Sequence, residues 1–239
     1  MRRLALLALG LAAEARAQDR FEIQVYDSPT AAPGEVGLET HLNHVFADVD
    51  ETHVTFEPHI GVAPWLEIGG YFQTAIRADG TFDYAGVKLR GKLRLPSRLW
   101  DDRLGLALNG ELSAIPSRYE EHVWGSELRP IADLTDGRLY VSVNPILTFS
   151  YGGDAAGHPA LEPAAKIAVR TVGTLAIGAE WYGAFGPIDD LGSEKFSRIL
   201  GVLDWTSSYV DINFGVGWAS GTDDRWVAKA IVTLHRAED

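Results

Sequence analysis

The chain has 239 residues, of which 46% are hydrophobic, and its formal net charge is −12. It contains no cysteine, which excludes a disulfide framework, a thiol nucleophile and a thiolate metal site. The acidic balance argues against nucleic acid as a partner, because an acidic surface repels a polyanion.

Residues 1–17 have the features of a secretory signal peptide: arginines at positions 2 and 3, an apolar run over residues 4–13 and small residues at Ala15 and Ala17. The run is about half of the ~20 residues that a spanning helix needs. We therefore expect export with cleavage near Ala17/Gln18, rather than a membrane anchor. Cleavage removes three arginines and one glutamate and leaves a net charge of −14.

Residues 18–34 precede the first predicted strand and contain the alternating stretch FEIQVY. This N-terminal segment could add to a sheet edge, plug a lumen or lie in the periplasm. Residues 35–236 contain no linker and no low-complexity tract, so we expect them to form one domain.

From residue 35 onward, segments alternate apolar and polar residues with the two-residue period of a β-strand. Twelve such segments are predicted: 35–46, 52–62, 66–77, 84–94, 104–114, 123–134, 138–149, 160–171, 174–184, 196–205, 208–218 and 224–235. Pro58, Pro130, Pro145 and Pro163 lie inside them and weaken them, because proline cannot donate to the ladder.

Four features favour a membrane barrel over a soluble sandwich. The predicted strands approach the ~9–11 residues of a tilted spanning strand, and short and long connections alternate, except that residues 95–102 form a long link where a short one is expected. Charges on the polar face would cost several kcal/mol each in a dry core. Most tryptophans fall at strand ends: Trp65, Trp100, Trp124, Trp205, Trp218 and Trp226. The sequence predicts an all-β, transmembrane, antiparallel up-and-down barrel of about 12 strands.

Several segments resemble bacterial outer-membrane barrel proteins related to the transporters of the phenol-degradation MetA-pathway type. They are FEIQVYDSPTAAPGEVGLETHLNHV, YAGVKLRGKLRLP, WGSELRPI, VNPILTF, LEPAAKIAV and INFGVGWASGTDDRWVAKAIV. The resemblance implies the cell outer membrane as location, with membrane lipid and the barrel-assembly machinery as partners. Such barrels commonly end on an aromatic residue, whereas here Leu234 is followed by HRAED. An assembly signal is expected at residues 231–234 or in a degenerate form.

The stretch 35–62 places glutamates and histidines on the polar face of a predicted hairpin. A hairpin centred near Val49 would pair Glu39 with His59, His41 with Glu57, and Asn43 with Thr55. These could be satisfied lumen pairs, a pH-responsive gate, or a zinc site with His41, His59 and Glu57 as weak candidates. Because the spacing lacks a known metal pattern, we expect neither metal nor cofactor.

The polar faces of the predicted strands supply the lining of the lumen. We expect it to include Glu39, His41, Glu57, His59, Glu67, Tyr71, Lys88, Arg90, Lys92, Asn109, Glu127, Arg129, Asn144, Glu162 and Lys166. The predicted register places Glu67 near Arg94 and Tyr71 near Arg90. Such a lumen could be a constriction for small polar solutes or a plug of mutually satisfied charges.

The function predicted from this pattern is a channel or transporter that passes an unidentified small solute through a charged lumen. The alternative is a structural or ligand-binding barrel without an open pore. An outer-membrane lipid hydrolase is less favoured: outer-membrane phospholipases carry a His-x-Ser pair, whereas the nearest stretch here is His53-Val54-Thr55. There is also no Gly-x-Ser-x-Gly motif, so we expect no enzymatic activity.

Overall fold

A computed structural model describes residues 19–46, 51–222 and 225–235 of the chain. The expected signal peptide, its cleavage site and residues 236–239 lie outside these described residues.

Twelve antiparallel strands form one closed barrel. They are β1 (Val36–Phe46), β2 (Glu51–Ala63), β3 (Leu66–Ile76), β4 (Phe82–Arg94), β5 (Leu104–Ala114), β6 (Trp124–Asp136), β7 (Leu139–Asn144 and Leu147–Ser150), β8 (Ala160–Leu161 and Ala164–Arg170), β9 (Leu175–Ala184), β10 (Phe196–Thr206), β11 (Val210–Ser220) and β12 (Trp226–His235). Each strand pairs with the next along the chain, and β12 pairs with β1. This confirms the predicted twelve-stranded up-and-down barrel.

Helical structure is confined to two 3₁₀ turns, Gly153–Ala155 and Ile188–Asp190, within the described part of the chain. None of the helices described there is long and apolar enough to cross a membrane.

Three prolines interrupt the ladder of neighbouring strands in one row. The registers on either side of the gaps place Pro130 of β6 opposite Pro145 of β7, and Pro145 opposite Pro163 of β8. Because proline has no N–H to donate, the ladder is broken there, and β7 and β8 each divide into two pieces. The two strands that were predicted to be weakened by Pro145 and Pro163 therefore each contain a short gap in their hydrogen-bonded pairing.

The barrel is apolar outside and polar inside. Outward positions carry exposed side chains such as Leu89 (69%), Leu112 (61%) and Phe72 (57%), while charged side chains at alternate positions are buried. Soluble proteins place apolar side chains inside and polar ones outside, whereas a barrel that faces lipid requires the opposite arrangement seen here. Exposed tryptophans mark the strand ends: Trp65, Trp100, Trp124, Trp205, Trp218 and Trp226.

We call the end where β1 begins the turn end, and the opposite end the loop end. Connections at the turn end are short, as between β2 and β3, except for the link from β4 to β5. That link folds back on itself through a bridge between Leu99 and Leu104. Trp100, Asp101 and Asp102 have positive φ angles of 54°, 55° and 66°. In outer-membrane barrels the short turns face the periplasm.

The register predicted for the first hairpin was wrong by two residues. The structure pairs Glu39 with Glu57, His41 with Thr55, and Asn43 with His53. A shift of two residues leaves every side chain on its original face, so the alternation of apolar and polar residues cannot detect it.

The register predicted for β3 and β4 was wrong by two residues as well. Glu67 pairs with Lys92, and Tyr71 pairs with Lys88. A β-bulge also changes the register within this pair by one residue: Gln73 pairs with Gly86 but Thr74 pairs with Tyr84, which leaves an extra residue in β4. Gly86 sits in this bulge with φ of +136°, a conformation that favours glycine.

Candidate functional site

The N-terminal segment lies inside the barrel. We call residues 19–34 the plug segment. Phe21, at the loop end, packs against the rings of His53 and Tyr119 at 4.5 and 5.4 Å. At the turn end the Gly34 N–H donates to the Gly61 carbonyl at 2.8 Å. Of the three placements that the sequence left open, the structure thus shows the segment threading the lumen before the chain reverses into β1.

One face of the plug segment carries a buried carboxylate. Glu22 is 2% exposed and pairs with Lys88 Nζ and Arg129 Nη2, each at 3.0 Å. Burial alone would raise the pKa of the Glu22 carboxyl, but the Lys88 and Arg129 charges outweigh it and hold the pKa at about 2. Asp19 adds a second contact to Lys88 at 2.6 Å. The carboxylate is therefore ionised and bound by two cations of the wall.

Tyr26 crosses the centre of the lumen. Its ring lies over the Arg129 guanidinium, 4.3 Å from centroid to Cζ, and its hydroxyl donates to Glu22 Oε1 at 2.9 Å. The Tyr26 N–H donates to Asn144 Oδ1 at 2.7 Å, and the Tyr26 carbonyl accepts from Asn144 Nδ2 at 3.1 Å and from Ser142 Oγ at 2.6 Å. Asn144 thus binds both polar groups of one peptide residue.

The opposite face of the plug segment is apolar. Ile23 and Val25 are 0% and 9% exposed and pack against buried side chains of the wall. Those side chains are Val45, Ile146, Ala164, Tyr182, Leu200, Val202 and Val227. The lumen therefore has an apolar side as well as a charged side, and the alternation in FEIQVY matches the two.

Wall side chains take the place of a β-ladder along the plug segment, whose residues 19–32 are not part of a described strand or bridge. Further main-chain contacts are Asn43 Nδ2 to Arg20 O (3.0 Å), Thr55 Oγ1 to Phe21 O (3.1 Å), Lys229 Nζ to Ile23 O (2.9 Å), Arg129 Nη1 to Gln24 O (3.5 Å), Ser28 N to Asp133 Oδ2 (2.9 Å) and Ala31 N to Glu67 Oε2 (2.6 Å). These contacts satisfy backbone groups that would be costly to bury unpaired.

The long link between β4 and β5 has a role at the turn end. Its Arg98 donates to Asp133 Oδ1 at 2.6 Å and to Ser28 Oγ at 3.3 Å. Asp133 in turn accepts from the Ser28 N–H. The link that breaks the expected alternation of short and long connections therefore holds the plug segment where it leaves the lumen.

The opening stretch forms a compact buried group around His41. Its Nε2 lies 3.0 Å from Glu39 Oε1 and 3.2 Å from Glu57 Oε2. Glu39 and Glu57 also have other partners: Gln24 and Thr233 donate to Glu39 at 2.8 and 2.7 Å, and Arg90 pairs with Glu57. One imidazole therefore bridges two carboxylates, instead of the two separate Glu/His pairs predicted.

The same group is the candidate metal site within the described part of the chain. Ligand atoms of Glu39, His41 and Glu57 lie within 4.8 Å of one another. His59 is not a member of it: it pairs with Gly37 at the start of β1. One imidazole and two carboxylates are acceptable zinc ligands, but here each carboxylate already accepts from protein donors. Both carboxylates are therefore bound by protein groups, while the buried His41 Nδ1 has no hydrogen-bond partner among the described residues.

The remaining residues expected to line the lumen occupy inward positions of the wall. Tyr71, Lys88, Arg90, Lys92, Asn109, Arg129 and Asn144 are buried, and Glu39, His59, Glu127, Glu162 and Lys166 are partly buried. Their wall partners include Arg90 with Glu67 (2.6 Å), Arg129 with Glu127 (2.6 Å), Asn109 with Glu111 (2.8 Å), Lys166 with Asp204 (2.7 Å) and Glu162 with Thr148 (3.2 Å). Whether a solute passes along this lining remains a prediction.

Sequence reasoning did not select several residues that hold the plug segment. Lys229 is 1% exposed and joins Glu180 (2.5 Å) to the Ile23 carbonyl. A lysine inside the apolar stretch WVAKAIV is a visible signal for an inward cation. Ser142 gave no comparable signal, because a serine on a polar face has many possible partners.

Little free space remains beside the plug segment at the loop end. A cavity of about 110 Å³ lies there, with Phe21, Lys88, Glu111 and Glu127 among its lining residues. Ligand pockets are usually about 300–1,000 Å³, so this cavity is smaller than a typical ligand pocket.

The comparisons with known proteins support the fold. No family model matches the chain, and no curated protein matches it. Among solved structures, the chain is similar to the COG4313 outer membrane channel from Pseudomonas putida F1, with a TM-score of 0.63 and 10% identity over 90% of this chain and 100% of that one.

The KdgM porin is a second similar structure. Its TM-score is 0.55, with 10% identity over 82% of this chain and 98% of that one. A structure of the same porin in complex with disordered oligogalacturonate gives a TM-score of 0.54. At this level of identity the likeness shows the fold alone, which is that of outer-membrane barrels.

Proposed function

We propose that this protein is an outer-membrane channel for small polar solutes and that the plug segment closes it at rest. The observation that carries the proposal is the position of the plug segment, which fills the lumen of a barrel whose fold is shared with outer-membrane channels. Closure by a segment of the same chain explains why a barrel with a charged lumen has so little open space.

The plug segment can leave without damage to the wall. Its contacts along residues 19–32 come from side chains, and the ladders that close the barrel, including the one between β1 and β12, do not involve it. At the turn end, within the described residues, its main chain joins the main chain of the sheet through a bridge between Pro33 and Gly61 and the flanking hydrogen bonds. Withdrawal of the plug segment therefore breaks side-chain contacts but none of the strand pairings that close the barrel.

The charged lumen supports a polar solute. On withdrawal, Lys88 would lose Asp19 and Glu22, and Arg129 would lose Glu22, while their wall partners Glu111 and Glu127 would stay. The exposed wall would then present cations and carboxylates side by side. The KdgM porin forms a complex with disordered oligogalacturonate, and the cations Lys88 and Arg129 would suit a solute with carboxylates here.

The location and the partners belong to the same proposal. We propose export, removal of residues 1–17, insertion by the barrel-assembly machinery and contact with outer-membrane lipid through the apolar exterior. We also propose that the chain is related to the transporters of the phenol-degradation MetA-pathway type.

A closed, ligand-binding barrel is the second candidate function. The density of contacts between the plug segment and the wall favours it, because every contact opposes opening. A lipid hydrolase has less support: the Thr55 hydroxyl, which stands where a nucleophile would be sought, donates to the Phe21 carbonyl.

Solute flux into proteoliposomes tests the proposal. The mature chain, a deletion of residues 19–31 and Asn144→Ala would be compared in a swelling assay with a neutral monosaccharide and a sugar acid. We expect slow flux for the full chain, at least tenfold faster flux for the deletion and an intermediate rate for Asn144→Ala.

Asn213→Ala is the matched control, because Asn213 is also an asparagine of the wall but bonds Asp204 and Glu180 rather than the plug segment. It should leave the flux unchanged. If the deletion variant folds as a barrel and remains as slow as the full chain, the channel proposal fails and the closed ligand-binding barrel stands.

A further inference from the structure

The wall holds the plug segment mainly through atoms that every peptide has. Main-chain N–H or C=O groups of residues from Arg20 to Ala31 are bound by eight wall side chains. These are Asn43, Thr55, Glu67, Arg129, Asp133, Ser142, Asn144 and Lys229. Recognition of this kind depends on an extended backbone and only weakly on side-chain identity, as in peptide binding by strand addition.

The two sides of the lumen add a simple pattern to that recognition. Ile23 and Val25 contact the apolar side, while Glu22 and Tyr26 contact Lys88 and Arg129 on the charged side. Because successive side chains of an extended chain point in opposite directions, any peptide that alternates apolar with polar or acidic residues presents the same two faces.

The wall is also prepared for its occupant. Asn144 is fully buried and has Ser142 as a wall partner at 3.3 Å, while its remaining bonds go to the Tyr26 peptide groups. Lys229 reaches past Glu180 to a peptide carbonyl. Preorganised polar groups lower the cost of binding a partner that satisfies them.

We infer that the lumen, once the plug segment has left it, binds extended oligopeptides whose residues alternate between apolar and acidic or polar. This inference rests on the proposed function, of which it names the solute class. The plug segment is then a tethered copy of the ligand, and a peptide of about ten residues competes with it for the same wall. Because a short flexible tether gives an effective concentration in the millimolar range, a free peptide must approach that concentration to displace the plug segment.

Peptide binding to the emptied barrel tests the inference. The deletion of residues 19–31 would be titrated with three fluorescent peptides by anisotropy: the native sequence of residues 19–31, a new sequence that keeps its alternation, and a peptide of the same composition with the apolar residues made contiguous. We expect the first two to bind within about tenfold of each other and the third at least tenfold more weakly. N-methylation at the residue that corresponds to Tyr26 should also weaken binding at least tenfold, because Asn144 loses its donor.

Wall variants separate main-chain recognition from non-specific adsorption. In the emptied barrel, Asn144→Ala should weaken the native and the pattern-matched peptides by the same factor. Asn213→Ala, which removes bonds within the wall to Asp204 and Glu180, should weaken neither. Binding of the native peptide alone, or equal binding of the contiguous peptide, overturns the inference. Flux through the same variant without peptide tests the proposed function independently, so the two failures are distinguishable.

A displacement assay covers the case in which the deletion variant does not fold. The full chain with Val25→Cys would be exposed to a thiol reagent with and without millimolar pattern-matched peptide. The inference predicts at least threefold faster labelling with that peptide and no change with the contiguous one. Equal rates with both peptides contradict it.

Discussion

Removal of the buried Glu22 charge should release the plug segment. Glu22 is 2% exposed and pairs with two wall cations. Burial raises the pKa of the Glu22 carboxyl, but the Lys88 and Arg129 charges lower it from 4.5 to about 2, so docking stabilises the charged form; a hydrogen bond to a charged group is worth about 1.5–3 kcal/mol. The glutamine in Glu22→Gln keeps a hydrogen-bond acceptor, so we expect a loss of about 2–3 kcal/mol. Because about 1.4 kcal/mol is a factor of ten, the open population should rise between about 30-fold and about 150-fold.

Thiol labelling measures this population directly, because the chain has no cysteine of its own. Val25→Cys places a single thiol on the buried side of the plug segment, and its labelling rate follows the open fraction when closing is fast. Adding Glu22→Gln should raise that rate by the factor given above. Glu127→Gln is the matched control: it also removes a carboxyl from Arg129, but from the wall, and should not increase labelling. A change of less than threefold for Glu22→Gln refutes the reasoning.

The same thiol reports the pH dependence of the Glu22 contribution. Glu22 has a lowered pKa when docked, so its contribution is fully present above about 4.5 and is lost as the pH falls toward about 2. The ratio of labelling rates between Glu22→Gln and the parent should be constant from pH 8 to pH 5 and should fall toward one below pH 4.5. A ratio that falls between pH 8 and pH 6 contradicts the assignment.

Three further substitutions have defined outcomes. Lys229→Met removes the hydrogen bond to the Ile23 carbonyl. It should raise the labelling rate of Val25→Cys about tenfold, since a lost buried hydrogen bond costs about 1–2 kcal/mol. Lys166 has its acidic partners on the wall, so Lys166→Met should change that rate less than threefold. Gly61→Val should also raise the labelling rate, because a side chain there would overlap the carbonyls of residues 31–32. An unchanged rate would show that residues 31–32 can move aside without releasing the plug segment. His41→Ala leaves the buried Glu57 and the partly buried Glu39 without their shared imidazole and should lower the free energy of unfolding in urea by about 3 kcal/mol. An unchanged urea midpoint contradicts this.

The sequence predicted the faces of the strands better than their registers. Alternation assigns Lys88, Arg90 and Lys92 to one face whatever the neighbouring strand does. The partner of Glu67 depends on how β3 and β4 are aligned, and an error of two residues in that alignment leaves the alternation unchanged. Fold class and lumen lining could therefore be predicted from single strands, whereas cross-strand pairs could not.

The plug segment shows a different limit. The alternation in FEIQVY predicts an extended segment with two faces, but an edge strand, a lumen plug and a periplasmic arm all satisfy that pattern. What decides the placement is a set of distant side chains, such as Asn144 and Lys229, that meet one short peptide inside the barrel. Contacts between residues more than 100 positions apart leave no periodic signal in the sequence.

Single-channel recording in a planar bilayer tests the central claim most directly. The refolded mature chain and the deletion of residues 19–31 would be recorded at the same voltage and salt concentration. Closure by the plug segment predicts brief, rare openings for the full chain and a steady conductance for the deletion. Equal steady conductance in both would show that residues 19–34 do not close the lumen, and silence in both, from barrels shown to be folded, would contradict the channel itself.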